Sequence, residues 1–286
     1  MPMSGAEIDE WLTACEQDSG GRTSDTSWVP LQLNAGAAVL SFSVFADSML
    51  GHYHGGFFNP VMYVGPTVSA LTLAASTAAA TRPGAGHLRE SVFGVAAMTG
   101  VVGAGFHSYN VGRRVGGWSW GNLFYGAPIG APLGLTFAGL FGLAGARLAK
   151  SGNSELLGYS AGPLLASLAA VGLLGTAGEA GLLHFRGAFH DPFMYIPVTI
   201  PPLAAAVLGL AVLGPTPARR KAARALLGAT LLAGLAGTGF HAYGIQRNMG
   251  GWYNWSQNLL NGPPLPAPPS FTGMALAGLA GLSLVP

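Results

Sequence analysis

Two carboxylates and four histidines stand in otherwise apolar stretches of this sequence, and side chains of these types bind metals and carry protons. They form two sets at matching positions: Asp47, His52 and His107, then Glu179, His184 and His241. Two imidazoles and one carboxylate with open positions are the ligand set of many non-haem iron sites, and they also suit copper. Ionisable groups inside a bilayer are costly and are functional candidates by default. We therefore expect a divalent transition metal, iron or copper, at one dinuclear centre or at two mononuclear centres.

Four further polar residues recur beside the histidines: Tyr109, Tyr243, Arg113 and Arg247. We expect the tyrosines to position a proton for redox catalysis at the metal and the arginines to hold a cofactor. An alternative is a membrane anchor that passes electrons to or from quinone, with haem b between the two histidines of each set and the arginines at the propionates. A third interpretation is a proton- or cation-coupled transporter in which the two carboxylates are the coupled sites.

Structural roles explain many of the same residues without any cofactor. Histidines at helix ends can be hydrogen-bonded caps, and the carboxylates can bridge to Arg or Tyr inside a helix bundle. Asn59 and Asp191, each followed by proline, predict helix N-caps with proline at the first helical position. Trp118 and Trp252 are typical of the aromatic belt at a membrane surface.

The two sets belong to an internal repeat. Residues 47–63, DSMLGHYHGGFFNPVMY, match residues 179–195, EAGLLHFRGAFHDPFMY, at a constant separation of 132 positions. Residues 105–122 match residues 239–258 at a separation of 134, which widens by two toward the end of the match. The repeat predicts that each unit supplies its own carboxylate and its own histidine pair.

The elements that carry these residues are membrane-spanning helices, because only 8% of the 286 residues are charged and 50% are hydrophobic. Neither a soluble domain nor a disordered chain has this composition. Apolar runs near the 20 or so residues that a span needs predict an all-α polytopic membrane protein with eight transmembrane helices. The predicted spans are 33–50, 60–81, 90–112, 123–149, 158–184, 192–213, 218–246 and 267–285.

These spans divide into two tandem four-helix units, 33–150 and 151–286, which follow an N-terminal tail, 1–32. Because each unit has an even number of spans, both units have the same orientation. Parallel repeats of this kind are related by a pseudo-two-fold axis along the membrane normal.

One geometric condition limits the metal prediction. Residues five apart on a regular helix point about 140° away from each other, so Asp47 and His52 share a face only if the helix ends near Gly51. Glu179 and His184 need the same break, but Leu183 stands where the first unit has glycine.

Charge distribution predicts the orientation and the partners. Nine basic residues fall on the side of the N-terminus and four on the other side, which predicts a cytoplasmic N-terminus in a bacterial inner membrane and a site toward the periplasm or exterior. The expected partners are the lipid bilayer and other subunits of a membrane complex. A net charge of +2 gives no nucleic-acid footprint. The single Cys15 excludes a cysteine-based metal site within one chain.

Overall fold

A computed structural model describes residues 27–82 and 86–285. Most of the predicted N-terminal tail, including Cys15, lies outside these residues. Seven described helices are long and apolar enough to cross a membrane. They indicate an integral membrane protein built almost entirely from helices.

The described chain contains ten α-helices, three 3₁₀ turns and one short hairpin. The helices are α1 Val29–His54, α2 Val64–Thr81, α3 His87–Gly112, α4 Trp120–Tyr125, α5 Ala131–Ser151, α6 Ala161–Arg186, α7 Ile196–Leu213, α8 Pro217–Gln246, α9 Trp255–Asn261 and α10 Pro269–Ser283. The 3₁₀ turns Pro60–Tyr63, Pro192–Tyr195 and Gly251–Asn254 precede α2, α7 and α9. The antiparallel hairpin of β1 Glu155–Leu156 and β2 Tyr159–Ser160 connects α5 to α6.

Helix boundaries follow the separations of the sequence repeat. Helices α1 and α6 each have 26 residues and begin and end 132 positions apart. The same separation relates the 18 residues of α2 to those of α7. The predicted N-caps are confirmed, since the side chains of Asn59 and Asp191 accept hydrogen bonds from Val61 N (3.0 Å) and Phe193 N (2.9 Å).

Helices α1, α5, α6 and α10 form the centre of the bundle. Helix α1 packs against α2, α5 and α10, and α6 packs against α7 and α10. In the most apolar window of α1, α5 and α6 half of the residues are buried, against 17% in α3 and α8. The outer helices therefore present apolar side chains outward, which is compatible with lipid contact.

Glycines allow the closest helix contacts. At Gly36 of α1, an added Cβ would lie 2.8 Å from the Gly273 carbonyl oxygen of α10. At Gly100 of α3, an added Cβ would lie 2.5 Å from the backbone nitrogen of Thr136 in α5. Gly234 of α8 meets Thr272 of α10 in the same way. Backbone-to-backbone packing of this kind needs residues without a side chain at the contact.

Two of the predicted spans correspond to clearly shorter helices. The fourth begins at Ala131 rather than at residue 123, because the extended Gly126 ends α4 and Pro128 follows without a backbone N–H donor. The eighth, predicted over 267–285, is a helix of 15 residues, α10. At 1.5 Å per residue it is about 22 Å long, short of the roughly 30 Å of a hydrocarbon core.

Candidate metal centre at the histidine end of the bundle

The four repeated histidines lie at the end of the bundle where α1, α3, α6 and α8 terminate, which we call the histidine end. His52 is in the last turn of α1, and its Nδ1 lies 2.5 Å from the carbonyl oxygen of Met62. His184 of α6 makes the matching contact with the Met194 carbonyl oxygen at 2.8 Å. Both contacts join a helix end to the 3₁₀ turn that opens the next helix.

The second histidine of each unit has an equivalent contact. His107 Nδ1 of α3 lies 2.5 Å from the Pro128 carbonyl oxygen, just before α5. His241 Nδ1 of α8 lies 2.8 Å from the Pro264 carbonyl oxygen, before α10. All four histidines are half-buried.

These contacts assign the tautomer of each ring. A carbonyl oxygen can only accept a hydrogen bond, so each Nδ1 carries a proton, and in the neutral ring Nε2 then carries the lone pair. Within the described part of the chain, none of the four Nε2 atoms makes a hydrogen bond. An imidazole whose Nδ1–H is bound to a carbonyl and whose Nε2 is uncommitted is oriented as a metal ligand is.

Aromatic side chains fix the ring of the first histidine in each unit. Phe57 meets His52 edge to face with 6.0 Å between ring centroids and stacks on Tyr63 at 4.4 Å. Phe189 repeats the edge contact with His184 at 6.1 Å and stacks on Tyr195 at 4.6 Å. Both phenylalanines have a left-handed φ of 45°. The loop that follows α1 and α6 therefore has one conformation in both units.

The histidines associate within each unit. His52 lies close enough to His107 for their charges to interact, and His184 has the same relation to His241. Each pair joins the end of one long helix to a residue about one turn before the end of another.

The two carboxylates interact electrostatically across the units instead. Glu179 of α6 lies against the backbone of Gly130 and Ala131 at the start of α5, and its carboxylate interacts electrostatically with Asp47 of α1. Gly130 is needed here, because an added Cβ would overlap the Glu179 carboxylate. Neither carboxylate has a Lys or Arg partner among the described residues.

Unbroken helices separate the carboxylates from the histidines. The helix break near Gly51 on which a three-ligand set depends does not occur, since α1 continues to His54 and α6 to Arg186. Five helical residues turn the chain by about 140° relative to the starting direction. Accordingly, His52 contacts the Met62 segment while Asp47 interacts with Glu179 of α6. In residues 27–82 and 86–285, no group of three or more His, Cys, Asp or Glu is placed to hold a metal ion.

The predicted tyrosines and arginines lie on the outer surface of α3 and α8. Tyr109 and Tyr243 are each 64% exposed, and neither hydroxyl makes a hydrogen bond to another described residue. Arg113 lies beyond the end of α3 with its guanidinium 5.8 Å from the ring centroid of Tyr109. Arg247 is the exposed residue after α8. None of the four makes a hydrogen bond to a histidine of the pairs within the described chain.

Sequence reasoning missed the carbonyl groups that orient the histidines. Met62 and Met194 each lie ten positions after their histidine, and Pro128 and Pro264 lie 21 and 23 positions after theirs. The difference of two in the second case equals the insertion in the repeat. Matched proline and methionine positions were thus a signal for these contacts.

Two repeated asparagines were also missed as structural residues. Asn122 Nδ2 donates to the carbonyl oxygens of Val115 (3.0 Å) and Gly117 (2.7 Å). Asn258 Nδ2 makes the matching bonds to Met249 (3.1 Å) and Gly251 (2.8 Å). Each asparagine therefore closes the loop that follows the second histidine helix of its unit.

Comparison with protein families, curated proteins and solved structures finds no significant similarity to this chain.

Proposed function

We propose that the protein is an integral membrane metalloprotein in which each histidine pair binds one transition-metal centre, of iron or copper, near the histidine end. The observation that carries this proposal is the recurrence of one arrangement at four histidines: Nδ1–H bound to a carbonyl and Nε2 left uncommitted. A histidine that serves only as a cap has no need of the same free nitrogen at every repeated position.

The pairing within units supports two separate centres. A dinuclear site holds its ions only about 4 Å apart and needs ligands from both units around one point. Here His52 interacts with His107, His184 interacts with His241, and the carboxylates form a third group. We therefore propose two mononuclear centres and assign Asp47 and Glu179 to another role.

Each centre has two protein ligands, which leaves coordination positions open. A metal ion with open positions binds water, oxygen or a substrate, and for this reason redox chemistry stays the proposed activity, with Tyr109 and Tyr243 as its proposed proton-positioning residues. Haem b is the alternative centre, because its porphyrin supplies four ligands and needs only two axial imidazoles. Arg113 and Arg247 are the proposed propionate partners in that case.

The proposed architecture is eight crossings in two tandem units. Pro268, directly before α10, packs on Gly237 near His241, and Leu284, directly after α10, lies against Gly162 at the start of α6. Helix α10 thus extends from the histidine end to the opposite end despite its length. Protein surrounds it, so the irregular Pro263–Pro268 segment is shielded from lipid, the condition under which such backbone is tolerated at membrane depth.

Metal analysis and absorption spectroscopy of the purified protein test the function. We expect one iron or copper ion per histidine pair, and half of that metal in the double variant His52→Ala/His107→Ala. His190→Ala is the matched control, because His190 is exposed and its Nδ1 also contacts a carbonyl, that of Gly187, at 3.0 Å. A Soret band in the wild type that is weaker in the same double variant would show that the centre is haem b and not a metal ion bound by the protein alone. Wild-type protein without either metal or haem would refute the proposal.

The carboxylate pair supports a second candidate function, a proton- or cation-coupled transporter. Two neighbouring carboxylates without a basic partner favour a shared proton or a bound cation, because like charges repel strongly away from water. In proteoliposomes, Asp47→Asn and Glu179→Gln should each abolish proton or cation flux, while Glu155→Gln on the exposed hairpin should not. Flux that is absent from the wild type, or unchanged in both variants, would rule this candidate out.

A further inference from the structure

The end of the bundle opposite the histidines has a strongly basic surface. Two features mark this end, the start of α1 beside the end of α5 and the start of α6 beside the end of α10. We call six of its cationic side chains the basic face: Arg82, Arg147, Lys150, Arg220, Lys221 and Arg224. Five of these residues are exposed and Arg220 is half-buried. Among the described residues, the acidic side chains at this end are Glu90 and Glu155.

The sequence that precedes α1 has the opposite charge. Residues 1–26 contain six carboxylates, at Glu7, Asp9, Glu10, Glu16, Asp18 and Asp25, and one basic side chain, at Arg22. We call these residues the acidic tail. The tail joins the described chain at Ser27, directly before α1.

The tail enters the bundle at the same end as the basic face. At Gly145 of α5, an added Cβ would lie 3.1 Å from the Pro30 carbonyl oxygen in the first turn of α1. Arg147 and Lys150 follow Gly145 within about one and a half turns of the same helix. These two cations therefore lie at the same end of the bundle as the start of α1, about 160° and 140° around α5 from Gly145.

We infer that the acidic tail lies on the basic face and is its main occupant. A stretch of 26 residues can span up to about 85 Å, so its carboxylates can reach cations well beyond the entry point. A tether of this kind keeps the local concentration of the carboxylates near the millimolar range. Anionic lipid headgroups compete for the same cations and repel the acidic tail. We expect the tail to bind in preference, because its covalent link to α1 keeps its carboxylates close to these cations.

Zero-length cross-linking tests the contact in the full-length protein. A water-soluble carbodiimide activates a carboxylate, and a lysine amine then displaces the activating group as a urea to form an amide. Lys150 and Lys221 are the only lysines in the chain, so a tail peptide amide-linked to either one identifies the contact by mass spectrometry. Lys150→Arg is the matched variant, since it keeps the charge and should lose only the cross-link at position 150.

Distance measurement between spin labels tests the same contact without a cross-linking reaction at the basic face. Cys15 is the only cysteine, so one spin label attaches to the tail and a second to Ser151→Cys, at the exposed end of α5. In vesicles of zwitterionic lipid, pulsed electron paramagnetic resonance should give a short-distance population. That population should disappear in 1 M salt, where the Debye length falls to about 3 Å, and when the six tail carboxylates become amides. Ser256→Cys, at the histidine end, should give long distances throughout.

Opposite results would overturn the inference. These are the absence of both cross-links, or short distances that persist in the tail whose carboxylates are amides. Equal distances in zwitterionic and anionic vesicles, without a short population in either, would also overturn it and leave the basic face to lipid headgroups. None of these measurements depends on bound metal, so their failure would leave the histidine centres untouched.

Discussion

Each repeated histidine does two separable things with its two nitrogens. Nδ1 ties a helix end to the carbonyl of the following segment, and Nε2 is the proposed ligand. Asparagine carries an N–H donor close to the position of Nδ1 but has no counterpart of Nε2. Substitution by asparagine and by alanine can therefore separate the stabilising role from metal binding.

We predict that His107→Asn removes the metal of the first pair and leaves stability nearly unchanged. His107→Ala should remove the same metal and also lower the free energy of unfolding by about 1–3 kcal/mol, because the Pro128 carbonyl loses its donor. Metal analysis and thermal unfolding in detergent measure the two effects. Equal stability of the two variants would show that the carbonyl bond contributes nothing measurable.

The carboxylate pair gives a second prediction at this scale. Asp47→Asn removes one of two interacting carboxyl groups that have no basic partner among the described residues, with little change in shape, so we expect a higher thermal midpoint in detergent at neutral pH. Asp191→Asn serves as the control, because Asn59 already makes the same cap in the first unit. A lower midpoint for Asp47→Asn would indicate that a bound cation or proton joins the two carboxylates.

Among the elements, the contact between α3 and α5 positions His107. Thr136 Oγ1 donates to the Ala97 carbonyl oxygen at 3.1 Å, and Gly100 provides the space for this approach. Thr272 makes the matching bond to the Leu231 carbonyl oxygen at 3.0 Å beside Gly234. The second histidine helix of each unit is therefore held by a glycine and a threonine.

We predict that Gly100→Ala lowers stability by about 1–3 kcal/mol, because the added methyl group meets the backbone of α5. Gly94→Ala on the same helix is the control, since an added Cβ has no neighbour there within 4 Å. The control should be neutral or stabilising by up to about 1 kcal/mol, as alanine is the better helix former. Thermal unfolding of both variants measures the difference, and equal effects would contradict the packing argument.

For the whole molecule, the proposed eight crossings predict a definite pattern of accessibility. In a Cys15→Ser background, Val115→Cys and Met249→Cys at the histidine end should react with an impermeant thiol reagent from outside intact cells. Ser151→Cys should react only after the membrane is opened. Val115 and Met249 are 101% and 91% exposed, so the reactivity of a cysteine at either position depends only on which side of the membrane it lies. Labelling of Ser151→Cys in intact cells would reverse the proposed orientation.

Local patterns allowed much of the fold to be predicted from sequence, and distant contacts explain what was missed. Asn59 and Asp191, each followed by proline, predict the N-caps directly, and the lengths of the apolar runs predict most of the helices. The division between histidine pairs and a carboxylate pair follows from unbroken helices, which point Asp47 and Glu179 away from the histidines of their own helices. Helix α10 departs from the expected length because protein, not lipid, surrounds it.

The position of α10 also has a consequence for biosynthesis. Gly36 of α1 reaches one of its closest backbone contacts only when Gly273 has been made, 237 positions later. Contacts so distant in sequence slow folding, and exposed faces of incomplete chains invite wrong association. The face of α1 that packs on α10 therefore stays without this partner until α10 has been synthesised. We therefore expect the two halves of the sequence repeat to complete their packing together, after α10 has been made.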